Sequence, residues 1–66
     1  MAEFNLNYIA ERRKALGLTC LEMAKLLGLS GHSVYWKYEH GQYKFKADML
    51  PMLANALRCK VKNFYS

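Results

Sequence analysis

The sequence predicts an all-α fold, one compact domain of five short helices over residues 1–66. Three observations carry that prediction. Apolar residues recur at i, i+3 and i+4 and never alternate for long, so a period of 3.6 rather than 2 organises the chain. Capping residues and glycines fall where successive helices would start and stop. The 66 residues, 53% of them hydrophobic, suffice for one core and not for two. A chain this short buries little area per residue, so it needs well-packed helices, a staple or a partner subunit.

The helices are expected at about 7–16, 20–27, 31–40, 49–57 and 61–65. Asn5 or Asn7 caps the first, which sets Leu6, Ile9, Arg13 and Leu16 on one face. Gly17 ends it, because glycine accepts the left-handed conformation a helix C-terminus favours. Thr19 caps the second, and Glu22 three residues later completes a capping box. From that helix Met23, Ala24 and Leu27 point inward, while Leu21 and Leu26 fall outside the stripe. Gly28 breaks it and Ser30 caps the third. Residues 41–46 form an irregular basic connection. Asp48 caps the fourth helix, so that Pro51 falls in its first turn, where a missing N–H does no harm. Leu50, Leu53, Ala54 and Leu57 make its buried stripe, and the last helix turns Val61, Phe64 and Tyr65 back onto the core.

The stretch from Thr19 to Gly41 holds the most information. Ala24 allows close approach of two helices, Gly28 permits a tight turn, and Leu29, Val34 and Tyr38 fill the wedge between them. That is the physical recipe of a helix-turn-helix, which makes nucleic acid the leading partner. The charge agrees. Net charge is +5, with clusters at Arg12, Arg13 and Lys14, at Lys37, Lys44 and Lys46, and at Arg58, Lys60 and Lys62. A basic surface attracts an anionic partner, although a basic helix face can also be merely solvated.

Other functions find little support. Cys20 and Cys59 lie far apart, and with His32 and His40 they complete no metal-ligand spacing, so we expect reduced thiols, no metal and no cofactor. No apolar run is long enough to cross a membrane, and the N-terminus lacks the apolar core of a signal peptide, so a cytoplasmic protein is expected. There is no nucleophile–base pair, glycine-rich phosphate loop or carboxylate pair in a plausible pocket. The expectation is a non-enzyme without a small-molecule ligand.

With the helices placed, the sequence resembles the lambda-repressor and Cro-like (Xre-type) family of phage and bacterial regulators. The resemblance rests on Arg13 in the first helix, Gly17-Leu18-Thr19, and the run Met23-Ala24-Lys25-Leu26-Leu27-Gly28-Leu29-Ser30. It continues through Tyr38-Glu39-His40-Gly41, the Leu50 to Leu57 helix, Val61 and Phe64. One departure stands out: from Ala24 to Glu39 there is one more residue than the family usually has. Val34 fits the spacing counted from Ala24, and Tyr35 fits the spacing counted back from Glu39. The turn at Gly31 is the favoured place for the surplus residue; within the third helix it would rotate the outer face by about 100°.

The resemblance implies a sequence-specific DNA-binding transcriptional regulator, a repressor or Cro-like switch, whose third helix enters the major groove. With the surplus residue in the turn, the base-reading positions are His32, Ser33 and Lys37. With no gap before Val34 they are Gly31, His32 and Trp36. Trp36 is equally open to a core role, given the apolar area it carries. Phosphate contacts are implied at Thr19 and Cys20 on the N-terminus of the second helix. More are implied at His40, Gln42, Tyr43, Lys44 and Lys46 after the third. The family often has glutamine where this chain has Cys20. Arg13 and Glu39 match the family's internal ion pair. The implied partner is double-stranded operator DNA with two-fold related half-sites, bound by a homodimer. Cys59, Val61, Phe64 and Tyr65 are the dimer candidates, with core closure as the alternative for Phe64. A second reading keeps the fold but binds protein instead, as an antitoxin, co-repressor or modulator of another repressor. The surplus residue and the run Tyr35-Trp36-Tyr38 favour it.

Overall fold

Asn5 starts the first helix because its side chain accepts from the Tyr8 N–H at 3.0 Å, supplying an acceptor where the helix has none of its own. In the computed structural model, which describes residues 3–65, α1 therefore runs Leu6–Ala15. Gly17 closes it at φ +72°. α2 spans Cys20–Leu26, α3 His32–Glu39 and α4 Leu50–Ala56. Single 3-10 turns occupy Ala47–Met49 and Val61–Phe64. Among the described residues there is no strand beyond one isolated bridge, Phe4 to Tyr65.

Three expectations change in detail. The helix start at Ser30 moves to Gly31, whose extended backbone offers no side-chain cap, and Ser30 lies exposed in a bend. Asp48 does not cap α4 but sits inside the Ala47–Met49 turn, which runs directly into the helix and leaves Met49 at the cap position. Pro51 still falls in the first turn of α4. The segment 61–65 tightens into a 3-10 turn, held at its start by the Lys60 N–H donating to Asn63 Oδ1 at 3.0 Å.

The core draws on every α-helix: Ile9 from α1, Met23 and Ala24 from α2, Tyr35 from α3, Leu53 and Ala54 from α4. Leu27, Leu57 and Phe64 fill the space between them. Each buried Leu or Ile side chain contributes about 1.5–3 kcal/mol over its exposed state. Phe64 is wholly buried, packing its ring against Phe4 and Tyr8. A dimer contact through Phe64 therefore meets a side chain already spent on the monomer. The backbone joins the same corner, where the Asn5 N–H donates to the Phe64 carbonyl at 2.6 Å.

Two arginines of the first basic cluster are structural: Arg13, matched with Glu39 above, and Arg12, counted there only as charge. Arg12 Nε donates to the Leu57 carbonyl at 2.9 Å and Nη2 to the Arg58 carbonyl at 3.2 Å. They satisfy acceptors that the end of α4 leaves open. The chain turns there at Arg58, a non-glycine residue with φ +53°. Arg13 grips Glu39 in a two-pronged ion pair, Nε to Oε2 at 2.8 Å and Nη2 to Oε1 at 3.0 Å, and donates from Nη1 to the Leu18 carbonyl at 2.9 Å. One guanidinium thus ties α1, the turn before α2 and the end of α3 together.

Candidate nucleic-acid interface

The outer face of α3 follows from its inner one. Tyr35 and Glu39, one turn apart, are both buried. At 100° per residue, Ser33 and Lys37 then lie opposite them, and His32, Trp36 and His40 form the flanking stripe. Exposure agrees for Ser33, His32, Trp36 and His40, while Lys37 is half-buried. Because Tyr35 is at 0% exposure and Val34 only half-buried, the helix phase is the one counted back from Glu39. Gly31 takes an extended φ of −178°, and a Cβ there would meet nothing within 4 Å, so neither a left-handed turn nor close packing requires glycine at this position.

Trp36 is 43% exposed, which removes it from the core. Its ring stacks on His40 at 3.9 Å between centroids and 18° between planes, and His40 Nδ1 lies 2.9 Å from the Trp36 carbonyl. Lys37 reaches the other way, its Nζ 5.4 Å from the centre of the Tyr43 ring. Tyr43 is held in turn edge-on to Tyr38 at 5.4 Å. This cation–π contact shortens the range over which the lysine can swing.

The loop 40–46 is fastened to the end of α3. The N–H groups of Gln42 and Tyr43 both donate to the Lys37 carbonyl, at 2.9 and 3.2 Å, and Gly41 makes the bend at φ +82°. Phe45 anchors the far end, its ring against Tyr38 at 5.1 Å and Phe4 at 5.7 Å. His40, Gln42, Tyr43, Lys44 and Lys46 are left exposed on this frame. At the start of α2, Thr19 Oγ1 accepts from the Glu22 N–H at 3.1 Å while Glu22 Oε1 accepts from the Thr19 N–H at 3.0 Å. Thr19 is exposed and Cys20 half-buried there. The Glu22 carboxylate thus takes up a backbone donor that an incoming anion would otherwise meet.

Beneath the interface lies the ion pair. Burial alone would raise the Glu39 carboxyl pKa, but the hydrogen bonds and charge of Arg13 outweigh it, and the carboxyl sits below its ordinary value. The buried Tyr35 hydroxyl is directed toward the same carboxylate and helps to lower its pKa, although no partner meets full hydrogen-bond geometry with it. Its own pKa is driven upward, by burial first and by the carboxylate second. Sequence reasoning missed this buried hydroxyl and the Arg12 contacts; the i, i+4 spacing of Tyr35 and Glu39 was the available signal for the first.

Short helices cross over a small core, and a lysine-bearing loop is pinned to the end of one of them. A family model described as helix-turn-helix matches residues 9–63. The chain belongs to that family, the lambda-repressor/Cro-like (Xre-type) helix-turn-helix proteins, a family of DNA-binding regulators. No curated protein and no solved structure matches it significantly. Among the described residues no helix is long and apolar enough to cross a membrane.

Proposed function

We propose that the chain is a sequence-specific transcriptional regulator of the repressor or Cro-like kind, acting in the cytoplasm on double-stranded operator DNA. In this reading α2 and α3 are the helix-turn-helix and α3 lies in the major groove. His32, Ser33 and Lys37 meet base edges, with Trp36 at the groove wall touching a thymine methyl or the sugar–phosphate backbone. Thr19, Cys20, His40, Gln42, Tyr43, Lys44 and Lys46 meet phosphates and set register. Two copies would take two half-sites related by a two-fold axis.

The observation that carries the reading is the outer face of α3. Ser33 and Lys37 stand opposite the buried Tyr35–Glu39 stripe, and the loop that supplies Lys44 and Lys46 is bonded to the same helix end. Lysine suits guanine O6 and N7, and serine accepts or donates to several bases. A mobility-shift assay at two salt concentrations, with selected and random duplexes, tests it. The expected result is binding to both at low salt and to the selected duplex alone at higher salt. Absence of any shift at low salt overturns the regulator reading and leaves the protein-binding alternative.

A further inference from the structure

His40 closes α3 as its C-cap residue, exposed to solvent, with its ring laid on the indole of Trp36. The stack, 3.9 Å between centroids and 18° between planes, fixes the plane of the imidazole. In that plane Nδ1 lies 2.9 Å from the Trp36 carbonyl oxygen. A carbonyl only accepts, so the nitrogen facing it carries a proton. A neutral imidazole has a single N–H, and this contact uses it. Nε2, on the opposite edge of an exposed ring, is then a bare lone pair. A phosphate oxygen is also an acceptor, and a charged one, so the neutral ring has nothing to offer it.

We propose that His40 makes DNA binding proton-linked: it takes a phosphate only when Nε2 is protonated as well as Nδ1. The imidazolium donates from both nitrogens, one to the Trp36 carbonyl and one outward. The place suits a cation. The indole face beneath the ring attracts positive charge, and so do the open carbonyls at the end of α3. The charged groups around it come from α3, from α1 and from the loop that follows. Glu39 and Arg13 are already paired with each other. Lys37 is turned to the Tyr43 ring. Lys44 and Lys46 are exposed in the loop and add positive charge to the same surface. Of the side-chain types at this interface only imidazole ordinarily titrates between pH 5 and 8. The contact is therefore present at the acid end of that range and is lost as pH rises through it. Binding takes up one proton per chain.

The phosphate contact rests on the regulator reading, whereas the protonated stack is measured without DNA. Trp36 is the one tryptophan, so the emission of the full chain reports the ring stacked on it. An imidazolium quenches indole more strongly than a neutral imidazole. Emission should therefore fall in one step as pH is lowered from about 8 to about 5, and His40→Gln should abolish the step. Duplex affinity should be at least about tenfold higher at the acid end than at the alkaline end, as one charge-assisted hydrogen bond implies. The log–log salt slope should be steeper there by about 0.9 for each chain bound. His40→Gln should keep the shallower slope at both ends, and His40→Lys the steeper one at both. His32→Asn should retain the pH response. An emission step that survives His40→Gln overturns the proposal, as does a wild-type salt slope that is the same at both ends. So does a pH response lost with His32→Asn. A chain whose emission titrates through His40 but which shifts no duplex at the acid end refutes the regulator reading and leaves the protonated stack intact.

Discussion

Arg13→Ala should cost this protein most of its stability. The substitution removes the two-pronged pair with Glu39 and the bond to the Leu18 carbonyl, and it strands a carboxylate whose side chain is 3% exposed. Breaking a buried pair from one side costs about 3–5 kcal/mol. A domain of this length has a total stability of about 3–10 kcal/mol at 0.05–0.15 kcal/mol per residue. In a domain this small each kcal/mol moves Tm by about 4–8 °C, so a fall of at least 12 °C is expected in a circular-dichroism melt. The pH response reverses sign. In the wild type the Glu39 pKa is lowered, so its contribution is present above the unfolded value near 4.3 and is lost as pH falls through the folded one. Without Arg13, burial dominates, the Glu39 pKa rises, and the variant gains stability as pH falls below neutrality. Arg13→Met with Glu39→Leu should recover most of the loss, since no charge is left unpaired. An Arg13→Ala chain that melts like the wild type while losing DNA affinity would refute this reasoning and make Arg13 a phosphate contact.

Thr19→Ala opens the capping box and should lower stability by about 1 kcal/mol, read as a shift of several degrees in the same melt. Lys44→Ala and Lys46→Ala should each flatten the log–log salt dependence of duplex binding by about 0.9, with base preference unchanged. A changed preference would move that lysine from the phosphates to the bases.

Caps and glycines made most of the helix boundaries legible before any coordinates. Asn5, Thr19 with Glu22, Gly17 and Gly28 each have one local role, which the neighbouring residues do not alter. Legibility failed where the third dimension decides. Asp48 had the right chemistry for a cap, but the chain entered α4 through a 3-10 turn that needed no side-chain acceptor. Arg12 counted as surface charge until the end of α4 came within its reach, 45 residues away in sequence. The phase of α3 was ambiguous by one residue in the sequence, because Val34 and Tyr35 are both apolar enough to be buried. Packing decided it: Tyr35 and Glu39 point inward together. The outward positions of α3 and of the loop after it were legible as types and spacings. The Trp36–His40 stack and the hold of Tyr43 on Lys37 were not, since both depend on where the loop folds back.

The central claim is that α3 reads bases with Ser33 and Lys37 outward. Selection of bound duplexes from a random pool, run in parallel for the wild type and Lys37→Ala, tests it most directly. The account predicts a palindromic consensus for the wild type, and for Lys37→Ala the same consensus with discrimination lost at one base pair per half-site, worth about 1–3 kcal/mol. An unchanged consensus with uniformly weaker binding, or no consensus from either chain, would contradict it.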